Sequence, residues 1–193
     1  MNKNNPPVLA IETTGTLCSV CVYRSDSEYF NLSLMKEKVH SKKILSLIEF
    51  AMSEAGVEYS ELKGICISEG PGSFTGLRLG FAAAKGIAFG QNIGILKVPT
   101  FKSLAYEVSE NMPAGTRGLI LTKAALEESY LLGFESTTDG FSELLPLQLV
   151  MNNDLHKLIE DGGYEKIYSN VKIDGKPGIE KSSPEALSIA KYA

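Results

Sequence analysis

The sequence predicts an α/β protein of two domains, the first spanning residues 1–110 and a smaller second one spanning 111–193. Three observations predict it. Three strand-like runs joined by short turns open the chain. Helix-like and strand-like runs then alternate as far as Ser109. Asn111-Met112-Pro113-Ala114-Gly115 interrupts that pattern with turn-forming residues, and weaker strand signals follow it.

Each element has its own signal. Val8 to Ile11 is a short apolar run that fits a buried strand, and Cys18 to Tyr23 is rich in β-formers. Thr13-Thr14-Gly15-Thr16 between them is a tight polar turn. Tyr29 to Met35 alternates apolar and polar residues, which predicts a strand with one wet face and completes an antiparallel meander. Val39 to Ala55 is the clearest helix, stopped by Gly56. Ile65 to Ser68 is a strand. A glycine-rich run and a nearly uncharged helix to Gln91 follow it, then a strand at Ile93 to Val98 and a helix from Pro99-Thr100 to about Ser109.

In the second domain, Leu119 to Leu121, Tyr130 to Glu135, Leu144 to Val150 and Ile167 to Ser169 are strand candidates. Asn152 to Asp161 reads as a helix capped by Asn152 or Asn153 and stopped by Gly162-Gly163. Ser183-Pro184-Glu185 predicts the start of a last helix, cap then proline.

Bulk composition narrows the function classes. Apolar residues make up 44% of the 193 and charged residues 22%, with a net charge of −4 and no long basic run, so a dedicated nucleic-acid surface is not expected. The first apolar run is broken at Glu12, too early for a secretory leader. Leu79 to Leu96 contains Lys85, Gln91 and Asn92, which marks a buried helix plus strand rather than a membrane span. Cys18 and Cys21 have C-x-x-C spacing, but residues three apart on a strand point to opposite faces, so neither zinc nor redox use is expected. Free thiols fit a cytoplasmic protein.

The run Ser68 to Gly80, SEGPGSFTGLRLG, lies between a strand and a helix, the place of a phosphate loop. It lacks the lysine and hydroxyl that follow the last glycine of a Walker A loop. Gly70, Gly72 and Gly76 are also spaced one residue too widely for the dinucleotide fingerprint. On a helical wheel, Gly76, Gly80, Ala83, Ala84, Ile87 and Gly90 share one face, opposite Arg78, Phe81, Lys85 and Phe89. Helical glycines each cost about 1 kcal/mol of propensity, so close approach of another backbone must offset them. That backbone is either the chain's own sheet or a partner. In the preceding helix, Ile44, Leu45, Leu47, Ile48, Ala51, Met52 and Ala55 span about 160°, wider than the roughly 100° stripe a surface helix needs. The excess favours a partner interface.

I-E-T-T at Ile11, C-S-V at Cys18 and the whole Ser68 to Gly80 run resemble the TsaB (YeaZ) family over Val8 to about Glu107, and the helix entry at His40-Ser41 fits too. The resemblance implies the fold shared by actin, Hsp70 and hexokinase (ASKHA), two similar α/β halves of which the second is here short or degenerate. It implies a non-catalytic, cytoplasmic scaffold in threonylcarbamoyladenosine formation at tRNA position 37. Such a protein pairs with the catalytic paralogue TsaD, works with the ATPase TsaE and touches tRNA only through the complex; the apolar arc of the first helix beside the small face of the second predicts a homodimer when the chain is alone. ATP enters with the complex, and no cofactor, metal or catalytic residue is expected on this chain itself. The partner surface expected from the helix faces and the resemblance comprises His40, Ile44, Leu47, Ala51, Gly72, Ser73, Phe74, Gly76, Gly80, Ala83, Ala84 and Ile87.

Two departures from the family pattern fall in the second domain. Lys123 stands where the family has an acid, and Ala125 where it has a basic residue.

Other classes stay open. Glu12, Thr13 and Thr14 occupy the place of the superfamily's first phosphate loop, and a vestigial nucleotide site there would make the chain an anion- or nucleotide-binding module. An ATP-dependent carbamoyl transferase or phosphotransferase of the same fold is the catalytic alternative. The chain has only two histidines, His40 and His156, so the paralogue's metal-binding pair is missing. Ser73 is expected to be a helix cap rather than a nucleophile.

Overall fold

The computed structural model describes residues 5–35, 40–173, 175 and 178–193, with the side chains of 40–42 outside the description. By contact the chain divides into two units: residues 1–103 with 183–193, and residues 104–182.

The first unit is built on a five-stranded sheet. β1 (Val8–Glu12), β2 (Leu17–Ser25) and β3 (Glu28–Met35) form the antiparallel meander. β4 (Gly64–Ser68) and β5 (Gly94–Val98) extend it in parallel, giving the order β3-β2-β1-β4-β5. Period-two alternation sorts the side chains. Leu9 and Ile11 of β1 face α1 (His40–Glu54) and α2 (Phe74–Gln91), together with Val20, Ile65 and Ile67. Ala10 points the other way, to a smaller cluster with Cys21, Cys66 and Val98. Cys18 and Cys21 accordingly lie in different clusters on opposite faces of the sheet.

The second face is covered by α5 (Ala186–Tyr192), the last helix of the chain. Ala10, Cys66, Ala186 and Ala190 are all small, so this helix packs close to the strands. The sequence reading grouped residues 183–193 with the second domain; by contact they belong to the first unit. Nor does a cap-then-proline turn start the helix as expected. The N-cap is Glu185, whose side chain makes no capping bond, and the free N–H of Ala186 donates instead to Ser19 Oγ on β2 at 3.0 Å. Asn31 of β3 donates to the Glu185 carboxylate at 2.8 Å. A contact 167 residues away in sequence thus does the work of a local cap.

α3 (Thr100–Ser109) carries the division between the units, which falls after Ser103. The second unit repeats the first one's opening: β6 (Arg117–Lys123), β7 (Glu128–Thr137) and β8 (Gly140–Met151) form an antiparallel meander. α4 (Leu155–Gly162) then crosses to β9 (Lys166–Ser169), which pairs parallel with β6, in the order β8-β7-β6-β9. Leu119, Leu121 and Leu131 pack on Leu155 and Ile159 of α4. The predicted asparagine cap takes another form. Residues 152–154 make a 3-10 turn, and Asn152 Oδ1 accepts from Ser129 Oγ at 2.7 Å. Gly163 ends α4 in the left-handed conformation at φ +61°, the stop read from the sequence.

Candidate functional site: the glycine loop and its seat

Much of the glycine-rich run is helix. Only Glu69 to Ser73 is loop, and Phe74 to Gly80 already forms the first two turns of α2. Ser73 is the N-cap: its hydroxyl accepts from Gly76 N–H at 3.2 Å, as the cap reading expected. The loop is pinned on one side by Thr100, which donates N–H to Gly70 O at 3.1 Å and accepts Gly70 N–H on its hydroxyl at 3.0 Å.

On its other side lies the β1–β2 turn. Thr13 Oγ1 donates to Gly76 O at 2.8 Å, and Ser73 N–H donates to Thr14 O at 2.7 Å. The glycines permit this approach. A Cβ on Gly76 would overlap the Thr13 carbonyl, one on Gly72 would stand 2.6 Å from Thr14 Cβ, and one on Gly80 would stand 2.5 Å from Thr13 Oγ1. Gly76, Gly80, Ala83 and Ala84 are therefore buried against the chain's own turn and strands. This corrects the expectation that the small face meets a partner. The backbone that approaches Gly76 is the chain's own, Gly80 lies against side chains of Thr13 and Ile67, and a Cβ on Gly86 or Gly90 would meet nothing within 4 Å.

The same holds for the inner face of α1. Ile44 and Ala51 are buried in the first unit's core, and Leu47 packs against it half-buried, as does Ile87 of α2. Most of the apolar arc reflects two contacts inside the chain, because α1 packs on the sheet and on α2 together, with Leu45 at its edge left exposed. The His40 side chain lies outside the described residues.

What remains open is the opposite face of α2. Phe74 is 73% exposed and Phe89 92%. With Arg78, Ala82 and Lys85 they form one stripe at helical spacing. The Arg78 guanidinium stacks over the Phe74 ring, 5.5 Å from its centroid. A Cβ on Gly86 would meet nothing within 4 Å. Leu45 and Phe50 of α1 are also exposed. Of the residues assigned to a partner surface by sequence, Gly72, Ser73 and Phe74 are exposed. Arg78 and Phe89, placed by the wheel on the side away from the partner, belong to the open stripe.

Glu12, Thr13 and Thr14 are all buried, Glu12 completely. Glu12 Oε1 accepts the N–H of Thr14 and, at 2.5 Å, its hydroxyl. Glu12 Oε2 accepts the hydroxyl of Ser68 at the end of β4. Burial pushes the three thiols up, Cys18 and Cys66 to about 11 and Cys21 to about 12, and the Glu12 carboxylate adds to the effect on Cys18. All three are thiols at neutral pH, inert as nucleophiles or metal ligands. Among the described residues no group of three or more His, Cys, Asp and Glu is placed to hold a metal ion, and no helix is long and apolar enough to cross a membrane.

Residues 35–144 match the family model described as TsaD, tRNA N6-adenosine threonylcarbamoyltransferase. The tRNA threonylcarbamoyladenosine biosynthesis protein TsaB of Haemophilus influenzae is 30% identical over 107 residues, 55% of this chain and 44% of that one. Its namesake in Escherichia coli is 27% identical over 133 residues, 69% of this chain and 57% of that one. The chain thus spans about half the length of the curated relatives it matches. In fold it is similar to a Pseudomonas aeruginosa protein described as similar to peptidase YEAZ, with a TM-score of 0.78 at 19% identity over 96% of this chain and 89% of that one. YeaZ from Pseudomonas aeruginosa follows with a TM-score of 0.71 at 17% identity and the same coverage. The two solved structures share the fold, and the family model with the curated relatives shows that the chain belongs to the TsaD-type family, within it to TsaB.

Proposed function

We propose that the chain is a non-catalytic pairing subunit in the synthesis of threonylcarbamoyladenosine on tRNA. It docks on a TsaD-type paralogue that carries the transfer chemistry, and it works with a TsaE-type ATPase. The observation that carries this reading is the open stripe of α2. Phe74 and Phe89 lie bare on a helix whose Gly76, Gly80, Ala83 and Ala84 are buried against the chain's own core, and the chain is similar to relatives bearing the TsaB name. Two exposed aromatics with a stacked arginine have the composition of an interface hot spot. In the absence of the paralogue the same stripe is available to a second copy of the chain, which supports self-association. ATP belongs to the complex, and tRNA is reached through it.

The test is reconstitution. With the paralogue, the ATPase, ATP, tRNA and a preformed activated threonylcarbamoyl donor, modified adenosine is expected only when this chain is present. Phe89→Asp puts a charge on the stripe without touching the core and is expected to weaken pairing by about 2 kcal/mol or more, roughly thirtyfold, with thermal stability unchanged. Full modification without the chain, or with Phe89→Asp binding as well as the parent, would refute the proposal.

A further inference from the structure

A completely buried carboxylate at the end of β1 needs a reason to be there. Glu12 spends its two oxygens on donors of its own chain: the N–H and hydroxyl of Thr14, and the hydroxyl of Ser68. Hydrogen bonds to a buried carboxylate are the strong kind. Their partners sit at both ends of the glycine seat. Ser68 is the last residue before the loop. Thr14 receives the N–H of Ser73 on its carbonyl, and its neighbour Thr13 reaches Gly76 O one turn into α2. One carboxylate therefore ties the turn to the strand end, and the turn ties the helix start.

We propose that Glu12 is a positioning residue for the partner-facing helix, in place of a phosphate-site acid. It holds the Thr13–Thr14 turn in the conformation that receives Gly72, Gly76 and Gly80, and so sets where α2 presents Phe74 and Arg78 to a partner protein. The seat has no slack, because a single added Cβ at Gly76 overlaps the Thr13 carbonyl. Small displacements of the turn must move the helix start with it. The effect on a partner rests on the pairing function proposed above; the effect on the loop does not.

The experiment uses the full chain with two readouts. Amide hydrogen exchange compares Ser73, Gly76 and Leu77 with Ile65 and Ile67 of β4. Binding to the TsaD-type paralogue is measured well below the melting temperature. For Glu12→Ala, exchange at 73–77 is expected to rise about tenfold or more beyond any rise in β4, and pairing to weaken by a similar factor. Glu12→Gln, with its amide oxygen toward Thr14 and its NH2 toward Ser68 Oγ, is expected to recover both to within about threefold. Should Glu12→Ala not fold, Thr14→Val removes one donor and is expected to show the same local signature. Exchange rising equally in β4 and the loop, or not at all, overturns the proposal. So does protection of 73–77 by magnesium-ATP that Glu12→Gln abolishes. A parent chain that ignores the paralogue while Glu12→Ala still loosens the loop upholds the positioning and refutes the pairing. A parent chain that binds, with Glu12→Ala binding as tightly, does the reverse.

Discussion

The two units answer one topological question differently. Each begins with an antiparallel meander and then adds a parallel strand beside its first strand. The registers superimpose: Val8 to Ile11 pairs with Gly64 to Ile67, and Gly118 to Leu121 pairs with Lys166 to Ser169. Glu12 beside Ser68 therefore corresponds to Thr122 beside Asn170. In the first unit the pair is bonded through a carboxylate, and a glycine helix follows. In the second, the Thr122 hydroxyl is buried without a hydrogen-bond partner, and Asn170 Oδ1 accepts instead from Lys123 N–H at 3.0 Å. Among the described residues no helix of the second unit follows β9. The acid is present where a helix must be seated and absent where none is. That coincidence is what a structural role for Glu12 predicts.

The hardest way to break the comparison is to fill the seat. Gly76→Ala places a methyl on the Thr13 carbonyl, and backbone on both sides cannot yield cheaply. Overpacking ordinarily costs about 1–3 kcal/mol, and here the upper end or beyond is expected. Urea unfolding should show it, and a Gly76→Ala midpoint equal to the parent would mean that the turn is not rigid. Gly80→Leu, at a site where a Cβ already stands 2.5 Å from Thr13 Oγ1, is expected to fail in the same way, by loss of stability before any loss of pairing.

Alkaline pH separates the units next. Cys18, Cys21 and Cys66 are all in the first unit. Their folded pKa values, about 11 to 12, lie above the ordinary 9.0, so the unfolded chain gives up each proton first. Stability is intact below pH 9 and is lost as pH rises toward 11–12, on the order of 1 kcal/mol per thiol by pH 10. Hydrogen exchange between pH 9 and 10 should show the first sheet loosening before the second. Simultaneous loosening would assign the effect to charge in general.

Much of this was legible in the sequence. The period of a strand placed Cys18 and Cys21 on opposite faces, because that period is local. Ser73 as cap and Gly163 as stop were legible for the same reason. Close backbone approach holds for Gly72 and Gly76, while a Cβ on Gly80 would meet side chains and one on Gly90 nothing within 4 Å. Which backbone approaches was not legible, since a helical wheel records how much face must be covered and not by what. The answer, Thr13, lies 63 residues from Gly76. The return of α5 to the first sheet was hidden likewise, because its anchors Ser19 and Asn31 carry no local signal toward Ala186 and Glu185. The open stripe coincides with the charged and aromatic side of the wheel, whose period shows it but does not tell an exposed face from a covered one.

The gentlest change tests the second unit's half of the comparison. Thr122 is 8% exposed and its hydroxyl has no partner, whereas a buried hydroxyl ordinarily requires one. Valine has nearly the same shape and suits a strand, so Thr122→Val removes the polar atom and little else. If Thr122 is simply what remains where no helix needs seating, the change is expected to stabilise the chain by about 1 kcal/mol, the lower range for an unsatisfied buried hydroxyl. The corresponding change in the first unit, Glu12→Ala, is expected to move stability the other way by about 1–3 kcal/mol, because it strands the donors of Thr14 and Ser68. Opposite signs at equivalent positions, read from two urea curves, would establish that only one of the two strand ends carries a working contact. A loss of stability in Thr122→Val would show instead that its hydroxyl serves a bond in solution, and the two units would then differ in degree rather than in kind.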